Sequence, residues 1–252
     1  MGAQAAVETG LDLFENPIWS GLSTTQTILA EGDGLARRFP PDVTLLAGLA
    51  EETTVACAAL STLLGQGEMA ALFLREVPKL PVGVAMVQTG RVAQMVWSED
   101  GELALGAEPE LLGASSIPEA LALTKLTNPG PFGPRTFELG SYYGIRVDGK
   151  LAAMAGERLR MPGFTEVSAV CTHPDWRGRG YASVLISAVI RGITRRGDVP
   201  FLHTFADNTG AISVYEKLGF KTTRVFTLAV LKNELADGES MSGEVHNHVH
   251  SQ

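Results

Sequence analysis

The sequence predicts a mixed α/β protein, and three features of the chain support this fold class. The apolar, β-branched run at residues 164–172 predicts a buried strand. After Gly180, apolar residues recur at the spacing of one helix face over residues 182–193, which predicts an amphipathic helix. Further strand and helix patterns alternate along both halves of the chain, as expected for α/β architecture.

Composition indicates a folded globular protein and disfavours several functional classes. The 252 residues are 45% hydrophobic and 19% charged, a balance typical of a packed core. The formal net charge of -8 argues against nucleic acid as a partner. No apolar run reaches membrane-spanning length, and the N-terminus lacks the pattern of a secretory signal. We therefore expect no membrane partner. Two cysteines, Cys57 and Cys171, do not make a disulfide framework, so we expect a cytoplasmic protein.

The first 125 residues predict a mixed α/β half of their own. Turn residues such as Thr89-Gly90 separate the apolar runs, and Thr89-Gly90 predicts a hairpin between the two strands that flank it. The predicted elements are helices at 20–38 and 42–63, strands at 69–76, 82–88 and 91–97, and a helix at 118–125.

After a Pro/Gly-rich loop at 127–134, the second half predicts a longer series of elements. They are strands at 142–147, 151–159 and 164–172, a helix at 180–195, a strand at 200–206, a helix at 209–218, and a closing strand pair within 221–231. The polar tail at 233–252 is expected to be disordered. Its alternating His246, His248 and His250 could chelate a metal, but we expect them to be incidental and predict no metal site.

The turn between the 164–172 strand and the following helix has the composition of a phosphate site. A strand that feeds a glycine turn opening a helix brings several unpaired backbone N–H groups together, and the helix dipole favours an anion there. Gly178 and Gly180 allow close approach of the backbone, while Arg177 and Arg179 add positive charge.

Two other nucleotide-binding turns fit less well. A P-loop requires Gly-Lys-Ser/Thr, which does not follow Gly180. A dinucleotide fold requires Gly-x-Gly-x-x-Gly and an acidic residue at the end of the next strand, whereas Asp198 precedes that strand. A nucleotide-dependent oxidoreductase is therefore the weakest of the alternatives.

Two motifs resemble signatures of the GNAT acyltransferase superfamily. Arg177, Gly180 and Ala182 match the Arg-x-x-Gly-x-Ala motif that binds acyl-CoA, and residues 207–220 resemble the second signature, in which Asn opens a helix that ends with Tyr before Leu-Gly-Phe. The resemblance spans 126–231, and this region looks most like the C-terminal half of glycine N-acyltransferase-like proteins.

The resemblance implies a GNAT-type mixed sheet and a division of labour along the chain. Residues 1–125 would form a degenerate acyltransferase-like half, residues 126–232 the acyl-CoA-binding catalytic domain, and 233–252 the tail. The implied activity is transfer of an acetyl group from acetyl-CoA to the primary amine of a small molecule or amino acid, without a metal. The alternative is a CoA-binding regulatory module that has lost turnover.

The same resemblance assigns the residues that would hold the donor. The end of the strand would pair with the pantetheine arm, the turn would bind the phosphates, and Asn208 would both cap a helix and contact the pantetheine. The predicted donor-binding residues are Val170, Cys171, Thr172, Arg177, Gly178, Arg179, Gly180, Tyr181, Ala182, Ser183 and Asn208.

Two residues are candidates for proton transfer. Strict strand alternation places Glu166 on one face with Ser168, Val170 and Thr172, and by resemblance Glu166 matches the base that deprotonates the amine. Its alternative is a salt-bridged or solvent-facing glutamate. Tyr215 is the candidate acid for the leaving thiolate, with a core tyrosine as its alternative.

Overall fold

The structure is a computed structural model that describes residues 11–106 and 109–235. The predicted metal-free tail, with His246, His248 and His250, lies outside the described residues apart from its first three positions. None of the helices in the described ranges is long and apolar enough to cross a membrane. The α-helices there are α1 (Leu11–Glu15), α2 (Pro17–Ser23), α3 (Thr54–Leu63), α4 (Ile117–Thr127), α5 (Tyr181–Arg195) and α6 (Thr209–Lys217).

The strands form one small sheet and one large mixed sheet. Their bounds are β1 (Glu31–Gly32), β2 (Ala36–Arg38), β3 (Ala47–Leu49), β4 (Met69–Leu74), β5 (Val84–Trp97), β6 (Glu110–Leu111), β7 (Tyr142–Val147), β8 (Lys150–Met161), β9 (Phe164–Thr172), β10 (Val199–Phe205) and β11 (Phe220–Asn233). β1, β2 and β3 make the small sheet, and the large sheet has the order β4-β11-β5-β10-β9-β8-β7-β6. All neighbours in the large sheet are antiparallel except β9 and β10, which are parallel. The mixed α/β fold class is therefore confirmed.

The hairpin predicted around Thr89-Gly90 is wrong. β5 runs without interruption through both residues, because β11 pairs with it from Val84 to Trp97. A Thr-Gly pair permits a tight turn but does not impose one, and a long partner strand supplies hydrogen bonds along the whole segment.

Three other local predictions are wrong in whole or in part for the same kind of reason. Of the helix predicted at 20–38, only the start of the segment belongs to α2, and its second half contains the short strands β1 and β2. The 42–63 helix is confirmed only as α3, because residues 47–49 pair with β2. The closing strand pair is one strand, β11, which pairs with both β4 and β5 and shifts its register against β5 at two places.

The helices cover both faces of the large sheet. The apolar stripe of α5 packs with α6 against one face, where its buried residues include Leu185, Val189 and Ile193, as the periodicity predicted. On the opposite face, α1 and α2 contribute Phe14 and Ile18 to a core shared with β4, β9, β10 and β11. The site described below lies between these two layers.

Strands from both sides of residue 125 share this sheet. β5 lies between β10 and β11, and β4 forms the outer edge beyond β11. The division into an N-terminal support half and a C-terminal catalytic half stays a prediction; physically, the two stretches of chain build one layer.

β9 and β10 part after a short paired segment. Val199, Pro200 and Phe201 pair with Phe164, Thr165 and Glu166, whereas both strands continue well beyond these residues. The backbone of β9 from residue 167 onward therefore has no strand partner on the β10 side, and an opening forms between the two strands.

Candidate functional site

A cavity of about 870 Å³ occupies the opening between β9 and β10. The ends of both strands, the glycine turn and the N-terminal parts of α5 and α6 line it, together with residues from β4, β5 and β11. All eleven residues predicted to hold the donor lie on its wall, together with Tyr215, whereas Glu166 does not. The structure thus brings together segments that are separated by tens of residues in the sequence.

The glycine turn presents free backbone to the cavity. Gly178 and Gly180 have φ angles of 75° and 77°, in the left-handed region that favours glycine. A Cβ atom added at either position would meet nothing within 4 Å, so the space beside the turn is open. No side chain caps α5, whose N-cap is Gly180, and the first N–H groups of the helix are available to an anion.

The arginines of the turn add positive charge at its surface. Arg177 and Arg179 are exposed, and neither forms a salt bridge with another described residue. The Nε of Arg177 donates to the backbone oxygen of Thr172 at 3.3 Å, which holds the side chain beside the end of β9. His173 accepts a hydrogen bond from the backbone N–H of Asp175, so it stabilises the turn locally.

A bulge in β9 changes which face each side chain occupies. Ala169 has a φ of 52°, and the pairing of β8 with β9 shifts register between Met154 and Gly156. Val167 and Val170 consequently both pack toward α5, while Cys171 packs toward α4. The strict alternation that placed Val170 on the face of Glu166 is therefore wrong, because the sequence pattern does not register the extra residue.

Cys171 and Asn208 fit structural roles as well as a place on the wall. Burial raises the pKa of the Cys171 thiol to about 11, so the sulfur is not a thiolate at neutral pH. The Oδ1 of Asn208 accepts from the N–H of Ala211 at 3.2 Å and caps α6, as predicted.

Tyr215 lies on α6 and reaches the cavity from the α5 side of the sheet. Its ring is buried and makes an edge contact with Phe220, with centroids 6.1 Å apart. Burial raises the pKa of the hydroxyl to about 12, so Tyr215 keeps its proton at neutral pH. A phenol that keeps its proton is able to donate it, as the predicted role of general acid requires.

Glu166 is fully buried and holds an ion pair at the point where β9 and β10 part. Its two oxygens accept from the Nε and Nη2 of Arg158 at 2.8 and 2.7 Å, and the N–H of Leu159 donates to Oε2. Burial alone would raise the pKa of this carboxyl, but the charge and hydrogen bonds of Arg158, together with the hydrogen bond from His203, lower it to about 2.

His203 links Glu166 to the neighbouring strand. Its Nδ1 lies 2.7 Å from Oε1 of Glu166, and its Nε2 lies 3.3 Å from the amide nitrogen of Gln94. Since burial lowers the pKa of His203, the ring is neutral, donates from Nδ1 and accepts at Nε2. Thr223 donates to the amide oxygen of Gln94, which extends the chain of polar contacts across five adjacent strands.

Sequence reasoning missed Arg158, His203 and Gln94. A signal was present, because each polar residue interrupts an apolar strand, but its partners lie on other strands and cannot be read from local spacing. Arg158 and His203 also line the cavity, whereas Glu166 contacts both of them without lining it.

Comparison with known proteins identifies the family. Residues 142–227 match the model of the FR47-like protein family. A crystal structure assigned to the GNAT family of acetyltransferases, from Novosphingobium aromaticivorans, has 39% sequence identity and a TM-score of 0.81, covering 87% of this chain and 98% of its own. The chain therefore belongs to the GNAT family of acetyltransferases.

Other relatives match shorter segments or the fold alone. An acetyltransferase of Pectobacterium atrosepticum is 43% identical over 58 residues, and mycothiol acetyltransferase of Corynebacterium aurimucosum is 40% identical over 60 residues. These segments cover 22% and 23% of this chain, and only 40% and 20% of the respective relatives. A GCN5-related N-acetyltransferase from Kribbella flavida, 18% identical with a TM-score of 0.59, shares the fold over 86% of this chain and 94% of its own.

Replacing Glu166 with glutamine should destabilise the protein by about 3–5 kcal/mol, because the buried Arg158 would lose its counter-charge. The free energy of unfolding in urea measures the effect. Glu138→Gln is the matched control, since Glu138 pairs with Arg135 at the surface and should contribute far less. Equal losses for the two variants would contradict a structural role for the buried pair.

Stability should fall as the pH decreases below neutrality. The pKa of His203 lies below its ordinary value of 6.5, and that of Glu166 is lowered from 4.5 to about 2, so the unfolded chain binds more protons than the folded one at each step. Urea unfolding should therefore show a first loss below about pH 6.5 and a further loss below about pH 4.5.

His203→Gln should flatten the upper part of this pH dependence, whereas the control His173→Gln, at a half-buried histidine beside Asp175, should retain it. A stability that rises as the pH decreases from neutrality would contradict the directions of both shifts.

Proposed function

We propose that the protein transfers the acetyl group of acetyl-CoA to the primary amine of a small molecule. The observation that carries the proposal is the open glycine turn at the start of α5, which faces the same cavity as the phenol of Tyr215. Membership of the GNAT family supports acetyl-CoA as the donor.

The donor would bind along the turn and the unpaired part of β9. The phosphates meet the N–H groups of residues 178–183 and the charges of Arg177 and Arg179. The pantetheine arm hydrogen-bonds to the backbone of Val170, Cys171 and Thr172, which lies beyond the last pair between β9 and β10. The parting of the strands thus supplies donors and acceptors that a continuous sheet would have used internally.

Acetyl transfer then needs one nucleophile and one acid. The amine nitrogen attacks the thioester carbonyl, whose developing negative charge is stabilised by a backbone N–H of β9. The C–N bond forms, the C–S bond breaks, and Tyr215 donates its proton to the departing thiolate. The nitrogen loses its surplus proton to water in the cavity, and Tyr215 regains one from solvent.

The geometry favours a positioning role for Glu166. Both oxygens are engaged with Arg158, His203 and Leu159, and a carboxylate with a pKa of about 2 is a weak base at neutral pH. Direct proton transfer from the amine to Glu166 stays a prediction that these contacts do not favour. We propose instead that Glu166 holds Arg158 and His203 at the narrow end of the cavity, where β9 and β10 part. The amine would react in its neutral form.

Tyr215→Phe should lower kcat by roughly 10²- to 10⁴-fold, because the thiolate would leave without a general acid. The release of free thiol from acetyl-CoA measures the rate. Tyr143→Phe is the control, since Tyr143 lies on β7 and outside the cavity wall. A Tyr215→Phe enzyme with an unchanged kcat would remove Tyr215 from this role.

Gly180→Glu should abolish acetyl-CoA binding, because its side chain fills the open space beside the turn and its charge repels phosphate. Calorimetric titration with acetyl-CoA measures the affinity. Gly197→Glu is the matched control: Gly197 also has a positive φ, of 86°, and open space around its Cβ position, but it follows the other end of α5. Retained affinity in Gly180→Glu, or equal loss in both variants, would contradict phosphate binding at the turn.

A further inference from the structure

One wall of the cavity is apolar and comes mainly from strands that precede the family-matched segment. β4 contributes Met69 and Phe73, β5 contributes Val87, and the chain before β3 contributes Leu46. Leu228 and Val230 of β11 complete what we call the apolar wall. All six residues lie outside residues 142–227, so the FR47-like match does not account for this surface.

The apolar wall lies on the far side of the opening from the glycine turn. Leu46, Phe73 and Leu228 belong to the core that α1 and α2 share with the sheet, whereas the turn lies at the start of α5 on the other face. A donor bound at the turn would therefore reach into the opening from one side. The apolar wall would contact the acceptor that enters from the other side.

The wall continues to the narrow end of the cavity and out to its mouth. At the narrow end, the ring centroids of Phe73 and His203 are 4.6 Å apart, and His203 also contacts Glu166. At the mouth, Met69 and Val87 are 41% and 49% exposed, respectively. When these exposed apolar side chains cover an apolar ligand, their surface is removed from water, and this burial favours binding.

The charges that line the cavity have one sign. Among the described residues of the wall there is no aspartate or glutamate, while Arg158, Arg177 and Arg179 are present. The Glu166 carboxylate is shielded by its partners and already neutralises Arg158. A second ammonium group on the acceptor would therefore be desolvated without a counter-charge, which is strongly unfavourable.

We propose that the acceptor is a primary amine with an apolar body and no second cationic group. The amine nitrogen meets the thioester in the opening, and the hydrocarbon part lies along the apolar wall. This inference rests on the proposed acetyl transfer and specifies its acceptor class, setting polyamines and other polycationic acceptors aside.

The test compares two amines of the same chain length, 1-aminohexane and 1,6-diaminohexane. With acetyl-CoA as donor, kcat/KM should be at least about 10-fold higher for the monoamine, because only the diamine brings an unpaired charge to the wall. Calorimetric titration of both amines into the CoA-loaded protein gives the same comparison without turnover. Equal or better use of the diamine in both measurements would overturn the proposal.

Variants at the mouth make the test specific to the wall. Val87→Glu and Met69→Glu change exposed positions, and each should raise KM for 1-aminohexane by about 10-fold or more while improving use of the diamine. Val55→Glu is the control, because Val55 is 64% exposed on α3 and lies outside the cavity wall. A monoamine preference that survives in both mouth variants would overturn the proposal.

The outcomes also separate this inference from the proposed function. If no amine is acetylated although acetyl-CoA binds, acetyl transfer fails, and the calorimetric comparison alone decides the nature of the wall. If acetylation proceeds but favours the diamine, the proposed function stands and the apolar acceptor class is wrong.

Discussion

The parting of β9 and β10 is the constraint on which the rest of the molecule depends. Parallel neighbours normally share hydrogen bonds along their whole length, yet here the ladder ends at Glu166 and Phe201. The bulge at Ala169 lies three residues further along β9, in the part of the strand that has no partner toward β10. That defect gives the cavity its volume, exposes main-chain polar groups to a ligand, and connects the two faces of the sheet.

The buried polar chain secures the point at which the strands part. Arg158, Glu166 and His203 come from β8, β9 and β10, and Gln94 adds β5. Hydrogen bonds between side chains here join the strands just where the main-chain ladder stops. Burying a charged pair costs free energy unless each charged group keeps its hydrogen-bond partners. The arrangement therefore favours the one strand spacing at which all these hydrogen bonds form. Rigid geometry at the narrow end of the cavity is the result.

The sequence predicted the parts of the site that depend on local chemistry and missed those that depend on distant pairing. The turn at Gly178 and Gly180 and the cap at Asn208 follow from a few consecutive residues, and the cavity includes all of them. The partners of Glu166 lie on neighbouring strands and have no local signature. The uninterrupted course of β5 through Gly90 was hidden for the same reason, since β11 determines it from more than a hundred residues away.

The position of β5 has a consequence for how the chain reaches its native state. This strand is synthesised early, but both of its neighbours, β10 and β11, follow it by about a hundred residues or more. Pairings this distant in the chain carry a large loop-closure cost and slow the search for the native topology. During translation β5 lacks both neighbours until β10 and β11 have been synthesised. Until then its two edges are unpaired and can associate with other chains.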